Sequence, residues 1–488
     1  MMTLVIVIAA SLLSLTSLPY WLPRVIVALR AHIFTHINGD EGIAIPGKLV
    51  DPAHFKHVYA HPAANGRSRG AALSDLFWYW LSPGPEVHQE HLEPGETYDE
   101  VVRTTGRILA IPMKTAEELT TRSVSHVLNE FDFRGPKVVR LRALMMPIWA
   151  EFYYQVVFGT ICPPEARELI VGNANDVATA LKCCSLRHMD RREALTQFLR
   201  SQIAAGAVSH LLPARLSTQE RAFYLQGTFF NTAVVQMSEA MVHLLMAIAQ
   251  HPEVQAKLAA NLQDNAYLDR VITETLRLYP LFGISHRITS AEIPVDEQTT
   301  IPKGSVLCFN HPEYHRMGFD NAARFDPDRW EKLTPREANY IPFGVAANRP
   351  CPAQGLAPVT MRAAARELLR QFAFYSSASH TRSIPNRGPC LLAPRQRPHG
   401  LQGLRLLMLG MRLRDRWEDV GRSLKQLVLG TYMVWDARRQ RLCQAYFEAH
   451  SETGRGQDSR AGGCPYEASR QSYARTADSG GSSRRHPA

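Results

Sequence analysis

One cysteine stands in a loop whose composition suits metal chemistry. The loop runs from Phe343 to Ala353 as FGVAANRPCPA, and Arg349 precedes Cys351 by two residues. The thiolate is the form of cysteine that binds metals, and a nearby cation favours it. Small residues let a backbone lie close to a flat cofactor. The loop therefore predicts a metal-bound thiolate at Cys351.

The other cysteines give no comparable signal. The chain contains eight, and no two are spaced as C-x-x-C, so an iron–sulfur or zinc site made of cysteines alone is not expected. Eight is few for 488 residues and does not suggest a secreted disulfide framework. The simplest interpretation of most of them, Cys390 included, is a reduced thiol packed as a small hydrophobe.

Two further motifs precede the cysteine loop. Glu274 and Arg277 lie three residues apart in a helical pattern, so they share a face and can pair. In the sequence RFDPDRW, Arg329 can reach a buried carboxylate with two parallel hydrogen bonds. E-x-x-R alone occurs by chance on many exposed helices, so its weight comes from the motifs that follow it.

The elements around these motifs are mainly helical. From about residue 115 to 279 the apolar residues recur at helical spacing, and 222–250 forms a long apolar stretch without proline that suits a helix crossing the core. After Pro280 the chain changes to loops rich in Pro, Gly and Asp, with short strand-like pieces such as GSVLCFN.

The three motifs, in this order and at these separations, resemble the cytochrome P-450 superfamily from about residue 45 to 395. The resemblance implies a mainly α fold with small β-sheets, haem b as cofactor, and Cys351 as the axial ligand of the haem iron. It implies that Glu274, Arg277 and Arg329 form the structural salt-bridge cluster of the family. Arg349, Arg287 and Arg107 match positions that bind haem propionates, and for each of them a surface charge is the alternative.

The chain departs from the family pattern at two places. The cysteine loop is one residue longer than is common in the family, and Ala347 and Ala353 replace glycines. In the long helix, Val235 and Gln236 fall where oxygen-activating members carry an acid–alcohol pair that relays protons. Asn231 and Thr232, about one turn earlier, are weak candidates for holding a water, and satisfied core polar groups are the equal alternative.

The amino terminus is apolar and uncharged from Met1 to Leu18, and Tyr20, Trp21, Arg24 and Arg30 follow it. About 20 apolar residues span a bilayer as a helix, and basic residues after the span favour a cytoplasmic location for the rest of the chain. A cleaved signal peptide is the alternative, although a basic leading region is missing. We expect residues 1–30 to be a single-pass anchor and 31–400 a catalytic domain.

The carboxyl terminus extends beyond the length usual for the family. Apolar and basic residues alternate at helical spacing in 401–450, which predicts a basic amphipathic helix lying on an acidic membrane or packed on the body of the protein. Residues 451–488 are rich in Ser, Gly and Arg and are expected to be disordered. The net charge of +10 lies partly in these segments, and no nucleic-acid-binding motif accompanies it.

These features favour a haem-thiolate monooxygenase that oxidises a hydrophobic small molecule, such as a lipid or secondary metabolite. Its electrons would come from an external flavoprotein reductase or ferredoxin. A peroxide-using or isomerase-type member is the second interpretation, because the acid–alcohol pair is missing. A catalytically silent haem protein or membrane scaffold is the third.

Overall fold

The computed structural model describes residues 2–39, 42–67, 71–396 and 401–450. Helices dominate these segments. They are α1 Met2–Asn38, α2 Phe55–Ala60, α3 Ala72–Leu81, α4 Glu96–Leu109, α5 Met113–Asn129, α6 Leu141–Phe158, α7 Pro164–Leu181, α8 Met189–Ala204, α9 Thr218–Leu225, α10 Val234–Gln250, α11 Pro252–Ala260, α12 Asn265–Leu278, α13 His311–Arg316, α14 Leu356–Gln371, α15 Leu401–Gln440 and α16 Leu442–His450.

Three small sheets accompany the helices within these described segments. Their strands are β1 Ile43–Ile45, β2 Lys137–Arg140, β3 Ile284–Ile288, β4 Ile293–Pro294, β5 Thr300–Ile301, β6 Val306–Asn310, β7 Phe372–Tyr375 and β8 Pro389–Pro394. The first sheet has the order β1-β6-β3, with β1 parallel and β3 antiparallel to β6. The second has the antiparallel order β2-β8-β7, and β4 pairs with β5 in the third. The mainly helical fold with small sheets agrees with the expectation from the sequence.

The long helix predicted for 222–250 begins earlier, at Thr218, where Ser217 and Glu220 form a reciprocal capping box. Its middle, Gln226–Ala233, is π-helical and joins α9 to α10. Among the described residues, Thr218–Gln250 is the helical stretch long and apolar enough to cross a membrane. Most of it is buried within the protein, as in the core helix of a globular fold.

The two chain ends that the structure describes run side by side. Tyr20 of α1 accepts a hydrogen bond from Arg416 of α15, and Phe34 packs against Gly430. In both pairs the residue on α15 follows its partner on α1 by the same number of sequence positions. The two helices therefore run in the same direction. On its other face α15 packs on the body, where Asp436 accepts from the Tyr79 hydroxyl at 3.0 Å and Gln426 donates to the Lys182 carbonyl at 2.8 Å.

The predicted extension 401–450 is therefore helical, and one face of it packs on the body of the protein. Residues 451–488, including Cys464, lie outside the described residues.

Candidate functional site

The Cys351 loop is a tight turn between Ile341 and the start of α14. The Cys351 amide donates to the Phe343 carbonyl at 3.0 Å, and the Asn348 amide donates to the Val345 carbonyl at 3.0 Å. Gly344 and Arg349 have positive φ angles of 76° and 49°. The side-chain amide of Asn348 donates to the carbonyls of Tyr59 and Ala64, both at 2.8 Å. An arginine thus takes the left-handed position that glycine would occupy more easily.

The Cys351 sulfur lies in a desolvated environment. Burial raises the pKa of the thiol to about 11, while a hydrogen bond from the Ala353 amide lowers it less strongly. Burial also raises the pKa of Tyr153 on α6, and the charge of Cys351 contributes to the same shift. A thiol in such surroundings remains protonated at neutral pH unless a metal ion binds it. The thiolate predicted from the sequence therefore depends on a metal rather than on Arg349.

Three arginines meet on one side of this loop. Arg67, Arg287 and Arg349 are each at most 5% exposed and come from the loop after α2, from β3 and from the cysteine loop. Arg287 donates to Glu90 at 3.0 Å and to the Tyr59 hydroxyl at 3.1 Å. We call these three residues the arginine cluster.

The other two members are held mainly by backbone carbonyls. Arg349 donates to the carbonyls of Gln89 and Asn65 at 2.6 and 3.0 Å. Arg67 donates to the carbonyls of His286 and Glu90 and approaches the Glu90 carboxylate at 3.3 Å. The rigid backbone partners fix the guanidinium groups without neutralising them.

Positive charge exceeds negative charge in the arginine cluster. Burial opposes the ionisation of Glu90, but Arg287, Arg67 and Arg349 together hold its pKa well below its usual range. The pKa of Arg67 is lowered to about 9, mainly by burial, because the attraction of Glu90 offsets only part of this effect and the other two arginines add to it. The Nε of Arg287 is buried and has no hydrogen-bond partner among the described residues. A buried excess of cations with an unused donor is suited to an anionic group.

The residues of the E-x-x-R motif and of RFDPDRW form one buried cluster. Arg277 donates to both oxygens of Glu274, each at 2.8 Å, and Arg329 donates to Glu274 at 3.0 Å. Trp330 Nε1 donates to the same carboxylate at 2.9 Å, and the Asp326 amide does so at 3.0 Å. Both carboxylate oxygens of Glu274 accept hydrogen bonds, so this residue connects α12 to the segment that leads to the cysteine loop.

The π-helical segment carries the weak candidates of the sequence. The carbonyl oxygen of the Asn231 side chain accepts from the Asn173 amide, and its own amide group faces the carbonyls of Leu81 and Pro83 at 3.5 and 3.4 Å. This buried residue is thus a satisfied core polar group. Thr232 is half-buried, and neither it nor Val235 offers an ionisable group.

Arg107 lies apart from the arginine cluster. It is on α4, and its guanidinium donates to the Leu211 carbonyl at 2.8 Å. Arg67, which the sequence did not single out, takes a place in the cluster instead. Tyr98 at the start of α4 also belongs there, with its ring centre 4.4 Å from the Arg349 guanidinium carbon. In the sequence ANGRSRG, no periodic pattern of apolar residues around Arg67 predicts its burial.

A second group of possible metal ligands, His126, Glu130 and Glu151, lies on α5, just after it and on α6. Arg167 pairs with Glu130 at 2.7 Å and with Glu151 at 2.6 Å. A cation is already supplied by the protein at this point, so the group is a salt-bridge cluster.

Comparison with known proteins gives a consistent result. Residues 215–399 match the family model described as Cytochrome P450. Cytochrome P450 6a2 of Drosophila melanogaster is 28% identical over 243 residues, which cover 45% of this chain and 44% of that protein. Pentalenene oxygenase of Streptomyces avermitilis is 31% identical over 127 residues, 22% of this chain and 27% of that protein. The matched regions span about half or less of these relatives.

Solved structures agree over a larger part of the chain. A zebra fish cytochrome P450 with progesterone has a TM-score of 0.58 at 15% identity and covers 70% of this chain and 92% of its own. Cytochrome P450SP alpha with (R)-ibuprophen has a TM-score of 0.58 at 16% identity. The likeness covers 69% of this chain and 88% of that protein. At such identities the likeness concerns the fold.

Proposed function

Because this chain belongs to the cytochrome P450 superfamily, we propose that it is a haem-thiolate monooxygenase acting on a hydrophobic small molecule. Its electrons come from a separate redox partner, a flavoprotein reductase or a ferredoxin. The observation that carries this proposal is the combination of the desolvated Cys351 thiol with the arginine cluster, to which the cysteine loop itself contributes Arg349.

The residues present fit haem b, iron protoporphyrin. Cys351 would bind the iron through its sulfur, and Arg67, Arg287 and Arg349 would bind the two propionates and be balanced by their charge. The Ala353 amide, which hydrogen bonds the sulfur, tunes the electron density on the thiolate. When bound, the haem supplies the oxygen-activating chemistry. Arg107, whose guanidinium is held by Leu211, would bind a propionate only after turning away from that carbonyl.

Proton delivery on the side of the long helix has no ionisable side chain at the expected positions. Val235 and Gln236 replace the acid–alcohol pair, and the hydrogen bonds of Asn231 are used within the core. Protons then reach the site through water or through the substrate. The same observation favours a second candidate, a peroxide-using or isomerase-type enzyme, because such reactions need no proton relay to bound dioxygen.

Turnover experiments separate these candidates. The haem-loaded full chain is supplied either with NADPH and a reductase or with hydrogen peroxide, and oxidation of a panel of hydrophobic probes is followed. The monooxygenase proposal predicts product that depends on the reductase and carries oxygen from dioxygen. Product with peroxide alone would replace it by the second candidate. No product under either condition, with haem bound, would favour a silent haem protein.

A membrane location is the second part of the proposal. The described side chains of residues 13–16 of α1, including Leu13 and Leu15, are exposed, which suits an apolar helix surrounded by lipid. Tyr20, Trp21 and Arg24 follow at the level expected for a membrane interface. We infer a single N-terminal anchor with the catalytic domain on the cytoplasmic side, since the basic residues follow the apolar segment.

The parallel partner of α1 supports this location. The outward face of α15 carries exposed apolar side chains three or four residues apart along most of its length, namely Leu406, Leu409, Leu413, Trp417, Leu424, Val428, Tyr432 and Trp435. We call this row the α15 stripe. Ten basic and four acidic residues lie in α1 and α15 together. An apolar row beside excess positive charge suits the surface of an anionic bilayer.

A further inference from the structure

A pocket of about 410 Å³ lies where α15 meets the body of the protein, away from the arginine cluster. Its wall comes from four separate elements: the start of α6, the end of α7, the turn before β8, and the middle of α15. The charged lining residues are Arg142, Lys182, Arg387, Glu418, Arg422 and Lys425. Five of these six side chains are basic, so the pocket gathers positive charge from distant parts of the chain.

Some of this charge is neutralised inside the protein. Arg142 and Lys182 share one carboxylate, that of Glu239, with Lys182 at 2.7 Å from it. Glu418 is likewise shared, by Arg140 at 2.5 Å and Arg414 at 2.7 Å. Each carboxylate thus faces two cations, and a positive excess remains at both places.

Two of the remaining cations have no counter-charge. Arg422 pairs with Asp419 at 3.0 Å, but Arg387 and Lys425 form no ion pair or hydrogen bond within the described part of the chain. Burial, followed by the charges of Arg142 and Arg140, lowers the pKa of Arg387. The pKa of Lys182 is lowered to about 8, mainly by burial, because the attraction of Glu239 offsets only part of this effect and Arg142 adds to it. The cations repel one another, and an anion would relieve that repulsion.

The backbone at the pocket wall is also strained. Ile384, Asn386 and Arg387 have positive φ angles of 44°, 53° and 62°. A left-handed conformation is unfavourable for a residue with a side chain, and most so for a β-branched one such as isoleucine. Strained residues collect where a ligand must be held in a fixed geometry. Here the strain brings Arg387 to the pocket wall.

We propose that this pocket binds a phosphate group, as phosphate monoester or diphosphate, with Arg387 and Lys425 as its principal ligands. Several uncompensated cations match an anion of more than one charge better than a single carboxylate. The volume of the pocket accommodates the phosphate and part of the molecule that bears it. Since α15 supplies one wall, a bound phosphate would also bridge the carboxyl-terminal helix to the turn before β8.

Titration calorimetry on the haem-loaded full chain with inorganic pyrophosphate tests this site. Arg387→Asn removes the charge while asparagine tolerates the positive φ, and Lys425→Ala removes the second ligand on α15. Each should weaken binding at least about tenfold, which corresponds to about 1.4 kcal/mol, and Arg387→Lys should restore part of it. Arg412→Ala is the matched control, because Arg412 is an exposed cation of the same helix outside the pocket.

Two outcomes would overturn the proposal. One is unchanged pyrophosphate affinity in Arg387→Asn and Lys425→Ala proteins whose circular dichroism matches wild type. The other is an equal loss in Arg412→Ala, which would mean that net charge alone governs binding. Glycerol 3-phosphate and a soluble short-chain phosphatidate distinguish the source of the phosphate. Tighter binding of the phosphatidate assigns a lipid headgroup, and equal binding assigns a free phosphate ester.

Discussion

Cys351 and Arg349 are two residues apart, yet their side chains lie in different environments. Arg349 is held by the Gln89 and Asn65 carbonyls, and burial keeps the Cys351 thiol at a raised pKa of about 11. We therefore expect Arg349 to contribute to anion binding, and a metal ion to be required for deprotonation of the sulfur. The expectation that the cation itself favours the thiolate has no support in this geometry.

Glu90 is the residue on which the arginine cluster depends when no anion is bound. We expect Glu90→Gln to lower the free energy of unfolding of the apoprotein by about 3 kcal/mol, because it leaves buried guanidinium groups uncompensated. Haem binding should recover much of this loss. Urea unfolding of the apo and haem-loaded forms measures both quantities, and Glu118→Gln on the exposed face of α5 is the control. Equal losses in the two forms would contradict propionate binding at this cluster.

The same carboxylate gives a pH dependence with a defined sign. The pKa of Glu90 is depressed in the folded protein, so its contribution to stability is present above the ordinary glutamate value of about 4.5 and decreases as the pH falls below it. In Glu90→Gln this part of the acid destabilisation should be missing.

At the residue scale the sequence predicted the contacts that depend on short spacing. Glu274, Arg277 and Arg329 meet as expected, because two of them share a helix face and the third lies in a recognisable motif. Arg67 was missed and Arg107 lies elsewhere, because the direction of a long side chain depends on neighbours distant in sequence. The propionate roles of Arg349, Arg287 and Arg107 stay predictions.

At the element scale, the long helix was predicted with a boundary four residues late, and its π-helical segment was not foreseen. The segment lies where Gly227 approaches Gly84 so closely that a side chain on either glycine would collide with the other's backbone. A distortion caused by such tertiary contact leaves no trace in the local hydrophobic pattern. Asn231, which accepts a hydrogen bond from Asn173, belongs to this segment.

We expect Asn231→Ala to act on stability. The substitution leaves the buried Asn173 amide without its acceptor, which should cost about 2 kcal/mol, and Asn173→Ala should cost little more in its presence. Thermal unfolding of the two single variants and the double variant measures this coupling. A variant of normal stability with slowed turnover would instead identify Asn231 as part of the proton path.

His315 on α13 joins two motifs. Its Nε2 accepts from the Ile341 amide at 2.9 Å, just before the cysteine loop, and its Nδ1 lies 3.3 Å from the Arg277 carbonyl. Protonation would break the first of these bonds, and burial lowers the pKa of His315 to about 3.

Stability should therefore fall as the pH drops from about 6.5 towards 3, because the unfolded chain takes up a proton that the folded histidine excludes. His315→Gln retains donor and acceptor groups but does not titrate, so its unfolding midpoint should change less between pH 7 and pH 4.5. Identical acid profiles for the variant and the wild type would contradict this role.

At the scale of the whole molecule, the two described ends of the chain form one parallel helix pair. The sequence predicted both helices, but their pairing joins residues nearly four hundred positions apart, such as Tyr20 and Arg416, and no local pattern specifies it. Likewise, the two alternatives for the extension turn out to be compatible. Its inner face packs on the body, and its outer face carries the α15 stripe.

The stripe makes a membrane prediction that differs from that of an N-terminal anchor alone. We expect Leu413→Asp together with Val428→Asp to reduce partitioning of the full chain into anionic vesicles about tenfold. The two substitutions replace apolar side chains that would be buried in the lipid by charged ones that would not. Met113→Asp with Thr121→Asp on α5 changes the charge equally and should have little effect. Vesicle flotation measures the bound fraction, and wild-type binding of the stripe variant would restrict membrane contact to α1.

The central claim concerns one atom, the sulfur of Cys351, and a carbon monoxide difference spectrum of the reduced, haem-loaded protein tests it most directly. We predict the red-shifted band of a thiolate-bound haem in the wild type and its complete loss in Cys351→Ser. Cys390→Ser, whose hydroxyl can keep the hydrogen bond to the Tyr375 carbonyl, should retain the band. A wild-type protein that binds haem without this band, or a Cys351→Ser variant that keeps it, would contradict the assignment.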